Sequence, residues 1–220
     1  MTTTSSSFSH PGYNRGMMKS LLDTLRGEAW RRGLLANDAK LDAATVFRLV
    51  RDMPYQRASD RQPETLIREW RGTCSGKHYL LQRLFAELGI RSRLIACTTE
   101  TRLDPAEVHP RLRPILERGG SRVVDVHNFL VLELPQCEMV VDATFPASYK
   151  KYGMTVNEEF IPGQDQNLAA KPIRTWVVPP EKDAQEFKDE LLRANFSDEE
   201  LEVREDFIRT LGELLANEHA

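Results

Sequence analysis

The sequence predicts an α+β protein, and three observations carry that expectation. "GTCSGKHYLLQRLFAELGI", from Gly72 to Ile90, is a glycine-flanked cysteine followed by apolar residues at helical spacing. Three apolar, β-branched stretches come after it. The last forty residues read as helix again. A nucleus of one helix packed on a small antiparallel sheet follows, with further helices at both ends.

Each element has its own justification. Residues 1–12, "MTTTSSSFSHPG", have no apolar periodicity and read as a disordered tail. A single domain is expected over 13–180, with acidic helices over 181–220. Met17, Leu21, Leu25 and Trp30 are spaced for a first helix. Leu41, Val46, Leu49 and Val50 give a second, over Asp42–Met53, stopped by Pro54. "PETLIREW" places a proline at a helix start with an acid in the first turn. In the next helix Cys74, His78, Leu81, Phe85 and Leu88 share one face, and Gly89 ends it.

"RSRLIACTT" reads as a strand, and 99–121 as a long Pro-, Arg- and Gly-rich excursion with one short helix. "RVVDVHNFLVLEL" and "CEMVVDATF" are two more strands, joined by a tight turn at Pro135-Gln136. That turn pairs residues whose numbers sum to about 271, which sets His127 near position 144 and diagonal to Asp142. Residues 146–180 are mixed. Ser197 and Glu200 form a capping box, and Leu201, Phe207, Ile208, Leu211, Leu214 and Leu215 give the final helix an apolar face.

Composition narrows the function classes. The net charge of −3 over 220 residues gives no general footprint for nucleic acid. No apolar run approaches the ~20 residues of a membrane span. The start lacks the apolar core of a secretory signal, and three cysteines make no disulfide framework, so a cytoplasmic protein with free thiols is expected. No Cys-x-x-Cys pair points to zinc, and neither a metal nor a cofactor is expected. Residues 181–220 hold 13 acidic and 5 basic side chains. That is a solvated helix face or, alternatively, a surface that docks on the basic body and controls access to it.

Cys74, His127 and Asp142 form the constellation with chemistry in it. A thiolate is the nucleophile, and the positive end of a helix dipole stabilises it. A histidine within hydrogen-bond reach serves as base, and a carboxylate on its other nitrogen holds the ring. Gly72 permits close backbone approach, and a first-turn amide N–H is available for an oxyanion. Taken singly, each residue has a plainer reading: Cys74 as a buried thiol, His127 as a satisfied strand histidine, Asp142 as a turn cap. Asp125, two residues before His127, reads as a modulator of the histidine or as solvated. Cys97 and Cys137 read as core strand residues.

The segments "GTCSGKHYLLQRLFAELGIRSRLIA", "VHNFLVLEL" and "MVVDATF" resemble the transglutaminase-like superfamily, over about residues 70 to 146. The resemblance implies a papain-like core with Cys74 as nucleophile, His127 as base and Asp142 as orienting acid. Asn128 stands where that family often has an aromatic residue, and Met139-Val140-Val141 where many members have a tryptophan. The family's use of a Trp or Gln donor at the oxyanion makes Trp70 and Gln62 candidates, with Gln56 beside them. His78 is read as a packing or substrate contact. Arg111 and Arg113, with Arg102 and Arg118, would bind an acidic substrate or a phosphopantetheine carrier, or else be solvated. The implied activity is acyl transfer through Cys74 from a peptide, amide or acyl-thioester substrate to water or to an amine. The alternative is a catalytically inactive papain-fold interaction module.

Overall fold

A computed structural model describes residues 20–217. The expected tail at 1–12 and Met17 lie outside the described residues. The chain is α+β, with seven α-helices, one 3-10 turn and four strands among the described residues. The strands are β1 (Arg91–Arg102), β2 (Arg122–Glu133), β3 (Glu138–Val141) and β4 (Pro172–Val177), in the order β3-β2-β1-β4, all antiparallel.

The hairpin register is the expected one: Leu130 faces Val141 and Val131 faces Val140. Two features differ from expectation. β1 runs on to Arg102, pairing residue for residue with β2 back to Arg122, so the excursion begins later than its composition suggests. β4 is an additional strand on the open side of β1. Its Ile173 is 59% and its Val177 49% exposed, so it lacks the apolar alternation that marks a buried strand.

Four helices precede the sheet: α1 (Leu21–Arg31), α2 (Ala43–Arg51), α3 (Pro63–Glu69) and α4 (Cys74–Glu87). Asp42 caps α2 by accepting from the Thr45 amide at 2.9 Å. Glu87, at the end of α4, accepts from the first amides of α1, Leu21 and Leu22, at 2.9 Å each. Trp30, expected on the apolar face of α1, is 56% exposed, because the helix packs through Leu21, Leu25 and Ala29 instead.

α4 is the central helix. Leu80, Leu81, Leu84 and Phe85 are fully buried and join Leu94, Ala96, Val126, Leu130 and Leu132 of the sheet in the main core. Burial of each such side chain stabilises the fold by about 1.5–3 kcal/mol. Gly89, at φ +76°, stops the helix, and the Ile90 amide donates back to the Phe85 carbonyl at 2.8 Å. At the other end Gly76 admits α3: a methyl group there would sit 2.8 Å from Cδ2 of Leu66.

After β1 comes the short α5 (Arg113–Arg118). After β4 come α6 (Ala184–Asn195) and α7 (Asp198–Asn217), both packed against β2. Ser197 and Glu200 form the expected capping box, each accepting from the other's amide. The acidic helices dock on the basic body: Glu200 pairs with Arg122, Glu205 with Arg57, Asp206 with Arg118 and Glu213 with Arg111. Exposed pairs of this kind contribute little each. The apolar stripe of α7 beneath them supplies the packing. Among the described residues no helix is long and apolar enough to cross a membrane.

Candidate active site

Cys74 is the first residue of α4, only 3% exposed, with Thr73 as the capping residue. The amides of the first helical turn have no intrahelical acceptor. β2 positions His127, which is 4% exposed, and the residues just past β3 position Asp142, 2% exposed. His127 Nε2–H donates to Asp142 Oδ2 at 2.8 Å. Cys74 and His127 line one cavity and their charges act on each other, while Cys74 Sγ lies 3.8 Å from Ser75 Oγ. Helix tip, strand and hairpin partner thus bring the three predicted residues to one place.

Asp142 is held in turn. Its Oδ1 accepts from the Thr144 hydroxyl at 2.6 Å and the Thr144 amide at 3.0 Å; its Oδ2 also accepts from the Ala169 amide at 2.8 Å. Burial alone would favour the neutral acid, but the charge and bond of His127 outweigh it and hold the carboxyl well below the usual range. For His127 the balance is mirrored. Burial disfavours imidazolium, yet Asp142 and then Cys74 outweigh burial and raise the ring to about 10. Burial likewise raises the Cys74 thiol, but the Lys188 ammonium, followed by His127, brings it down to about 7. The opposite directions of the two shifts favour a thiolate–imidazolium pair near neutral pH.

Lys188 belongs to a layer that sequence reading missed. It projects from α6, is 4% exposed, and donates to Ser75 Oγ at 2.9 Å. The Ser75 hydroxyl in turn donates to Asn128 Oδ1 at 2.9 Å, and Asn128 Nδ2 donates to the Ile95 carbonyl. Asp125 stands 3.5 Å from Lys188 and accepts from Arg204 Nε of α7 at 2.7 Å. Burial would raise Asp125, but Lys188 and Arg204 bring it down to about 2. Asp125 is thus the anion that holds two buried cations beside the thiol. The signal for both cations lay in their position on apolar helix faces. Lys188 is one turn before Leu191 and Leu192, and Arg204 falls between Leu201 and Ile208.

The expectation is that Lys188→Met moves the titration of Cys74 up by about one to two pH units, the size of one close opposite charge. Lys188→Arg should recover much of the shift. Rates of thiol alkylation against pH measure both. An unchanged profile in Lys188→Met would contradict the assignment.

The other sequence candidates take different places. His78 does not line the cavity. It is fully buried, with Nδ1–H donating to the Cys74 carbonyl at 2.7 Å and Nε2 accepting from the Ala143 amide at 2.9 Å. Burial pulls it down to about 4, so it is a neutral clip that ties the first turn of α4 to the segment carrying Asp142. Trp70 lies in the main core as the left-handed cap of α3, with the Arg32 guanidinium 5.3 Å above its ring. Gln62 is exposed at the start of α3. Neither lines the space beside Cys74. Arg111 pairs with Glu213, and Arg113 donates to the Pro105 carbonyl at 3.1 Å, so neither reaches the cavity wall. Cys97 is in the sheet core, where burial raises it to about 12. Cys137 is exposed at the hairpin turn rather than buried in a strand.

Lys77, next to this site, is fully buried and donates to the Arg51 carbonyl at 2.8 Å and the Thr144 carbonyl at 3.0 Å. Burial pulls it down to about 7. It braces the first turn of α4 against α2 and against the turn after Asp142.

Cys74 and His127 open into a cavity of about 880 Å³. Its wall is formed by the end of β1, the segment 103–112, the residues around Phe145 and Met154, and the apolar stripe of α7. On the other side of Cys74 a narrow recess of about 20 Å³ is lined by Lys188, Arg204, Arg57 and Arg61 among others. Among the described residues no group of three histidine, cysteine or carboxylate side chains is disposed to hold a metal ion. Comparisons with protein-family models, with curated proteins and with solved structures found no match.

Proposed function

We propose that this protein is a thiol enzyme of the transglutaminase-like kind, forming an acyl-enzyme on Cys74 from an amide or thioester. The observation that carries the reading is the His127–Asp142 pair sharing one substrate-sized cavity with a thiol at a helix tip. The three-motif resemblance supports it, with a papain-like arrangement of the core as part of the same proposal.

The chemistry runs in two halves. The Cys74 thiolate attacks the carbonyl carbon, and the carbonyl oxygen becomes an anion. First-turn amides of α4 stabilise that anion, with the Lys188 charge close behind. The intermediate collapses as His127 imidazolium gives its proton to the leaving amine or thiol. Neutral His127 then takes a proton from water or from an amine as it attacks the thioester, and Cys74 is released. Asp142 keeps the ring oriented and its charge compensated through both halves.

The test is intact-mass measurement after incubation with activated acyl donors, in a Cys137→Ala background to remove the exposed thiol. One acyl group should add, it should map to Cys74, and it should vanish in Cys74→Ala. An acyl group retained in Cys74→Ala would contradict the proposal.

A further inference from the structure

We infer that the acyl group taken up by Cys74 is an uncharged apolar chain, longer than acetyl, that lies along α7. This rests on the thiol-enzyme reading and names its substrate class.

The asymmetry of the space around the sulfur carries the inference. The 880 Å³ cavity lies in the size range of sites that enclose a small organic molecule. Leu103, Leu112, Phe145, Phe207, Ile208 and Leu211 are representative of its wall. That wall contains two carboxylates, Glu107 and Asp125, but no lysine or arginine among the described residues. Its charged imidazole, His127, is already bonded to Asp142, so a carboxylate or phosphate farther along the acyl chain would face the acidic groups instead. The lysine and arginines lie in the other recess, with Asp125 among them, and it has room for about one water-sized group. Cys74 is shared by both walls. A carbonyl carbon bonded to Sγ therefore has an apolar space for its chain on one side and a compact positive space for its oxygen on the other.

The acylation step balances without a further reagent. The Cys74 sulfur forms a bond to the acyl carbon, and the bond from that carbon to the leaving thiol breaks. The leaving thiolate takes the proton of His127 imidazolium. Nothing is oxidised or reduced.

N-acetylcysteamine thioesters with acetyl, butanoyl, octanoyl and glutaryl groups test the inference, with acyl-enzyme formation on Cys74 followed by intact mass. Each seated methylene should favour acylation about fourfold, so octanoyl should exceed acetyl by at least about fiftyfold. Glutaryl should be the poorest donor. Leu211→Trp, which fills the cavity from α7, should bring octanoyl below butanoyl. Acetyl reacting as well as octanoyl, or glutaryl better than butanoyl, would overturn the inference while leaving the thiol enzyme in place. Non-covalent binding of octanoate ester to Cys74→Ala, read by calorimetry, separates the two claims. Binding without acylation of the native protein would support the apolar site and sink the enzyme. Absence of both would sink the two together.

Discussion

Replacing His127 with alanine should lower turnover by about 10⁴-fold or more. In the proposed mechanism the imidazole has two tasks that nothing else in the site duplicates. It keeps the thiol ionised near neutral pH, and it carries the proton to the leaving group. Lys188 remains in the variant and still attracts the thiolate, but an ammonium bonded to Ser75 and facing Asp125 is not a proton shuttle for the leaving group. His78 does not substitute, because both of its nitrogens are committed to backbone partners. Acyl-enzyme formation under single-turnover conditions measures the loss, with the melting temperature as a check on folding. A fall of less than tenfold would remove His127 from the mechanism.

Asp142→Asn should cost nearly as much, about 10³- to 10⁴-fold, for a different reason. The side chain keeps its shape but loses its charge, and Asp142 now accepts from four donors. An amide NH₂ in place of one oxygen opposes some of those donors and no longer favours imidazolium. The His127 pKa should fall from about 10, and the ion pair with Cys74 should weaken. Linkage gives a second readout. A histidine raised in the folded state contributes stability that is fully present below its unfolded value of about 6.5 and is lost as pH rises through its folded value. The stability gap between the native protein and Asp142→Asn should therefore narrow as pH goes from about 6.5 to about 10. Denaturant midpoints across that range measure it, and a gap that widened with pH would contradict the charge assignment.

Much of this site was legible before any coordinates, because it depends on local periodicities. The helical spacing from Cys74 to Leu88 and the turn at Pro135-Gln136 set the geometry. The register follows directly, since Leu132 meets Met139 as the turn position requires. What remained hidden depends on long-range pairing. Thr101 and Arg102 look like loop, yet β2 supplies partners in Val123 and Arg122 that keep them in strand. β4 is an edge strand with exposed apolar residues, so it lacks the one-sided pattern that identifies a strand. The two cations near the thiol come from helices more than a hundred residues away. Their charge suggested solvent, while their places on apolar helix faces were the better guide. His78 shares a face with Cys74 as expected, but that face is covered by the segment after β3, which makes it a brace.

Lys188 and His127 lower the Cys74 thiol to about 7, so it should be largely ionised just above neutral pH. The rate of its alkylation by iodoacetamide, followed from pH 5 to 10 in the Cys137→Ala protein, tests this most directly. The rate should rise through about pH 7 and level off above it. A thiol that reacts only as pH passes the ordinary value of about 8.5, or that stays inert throughout, would contradict it.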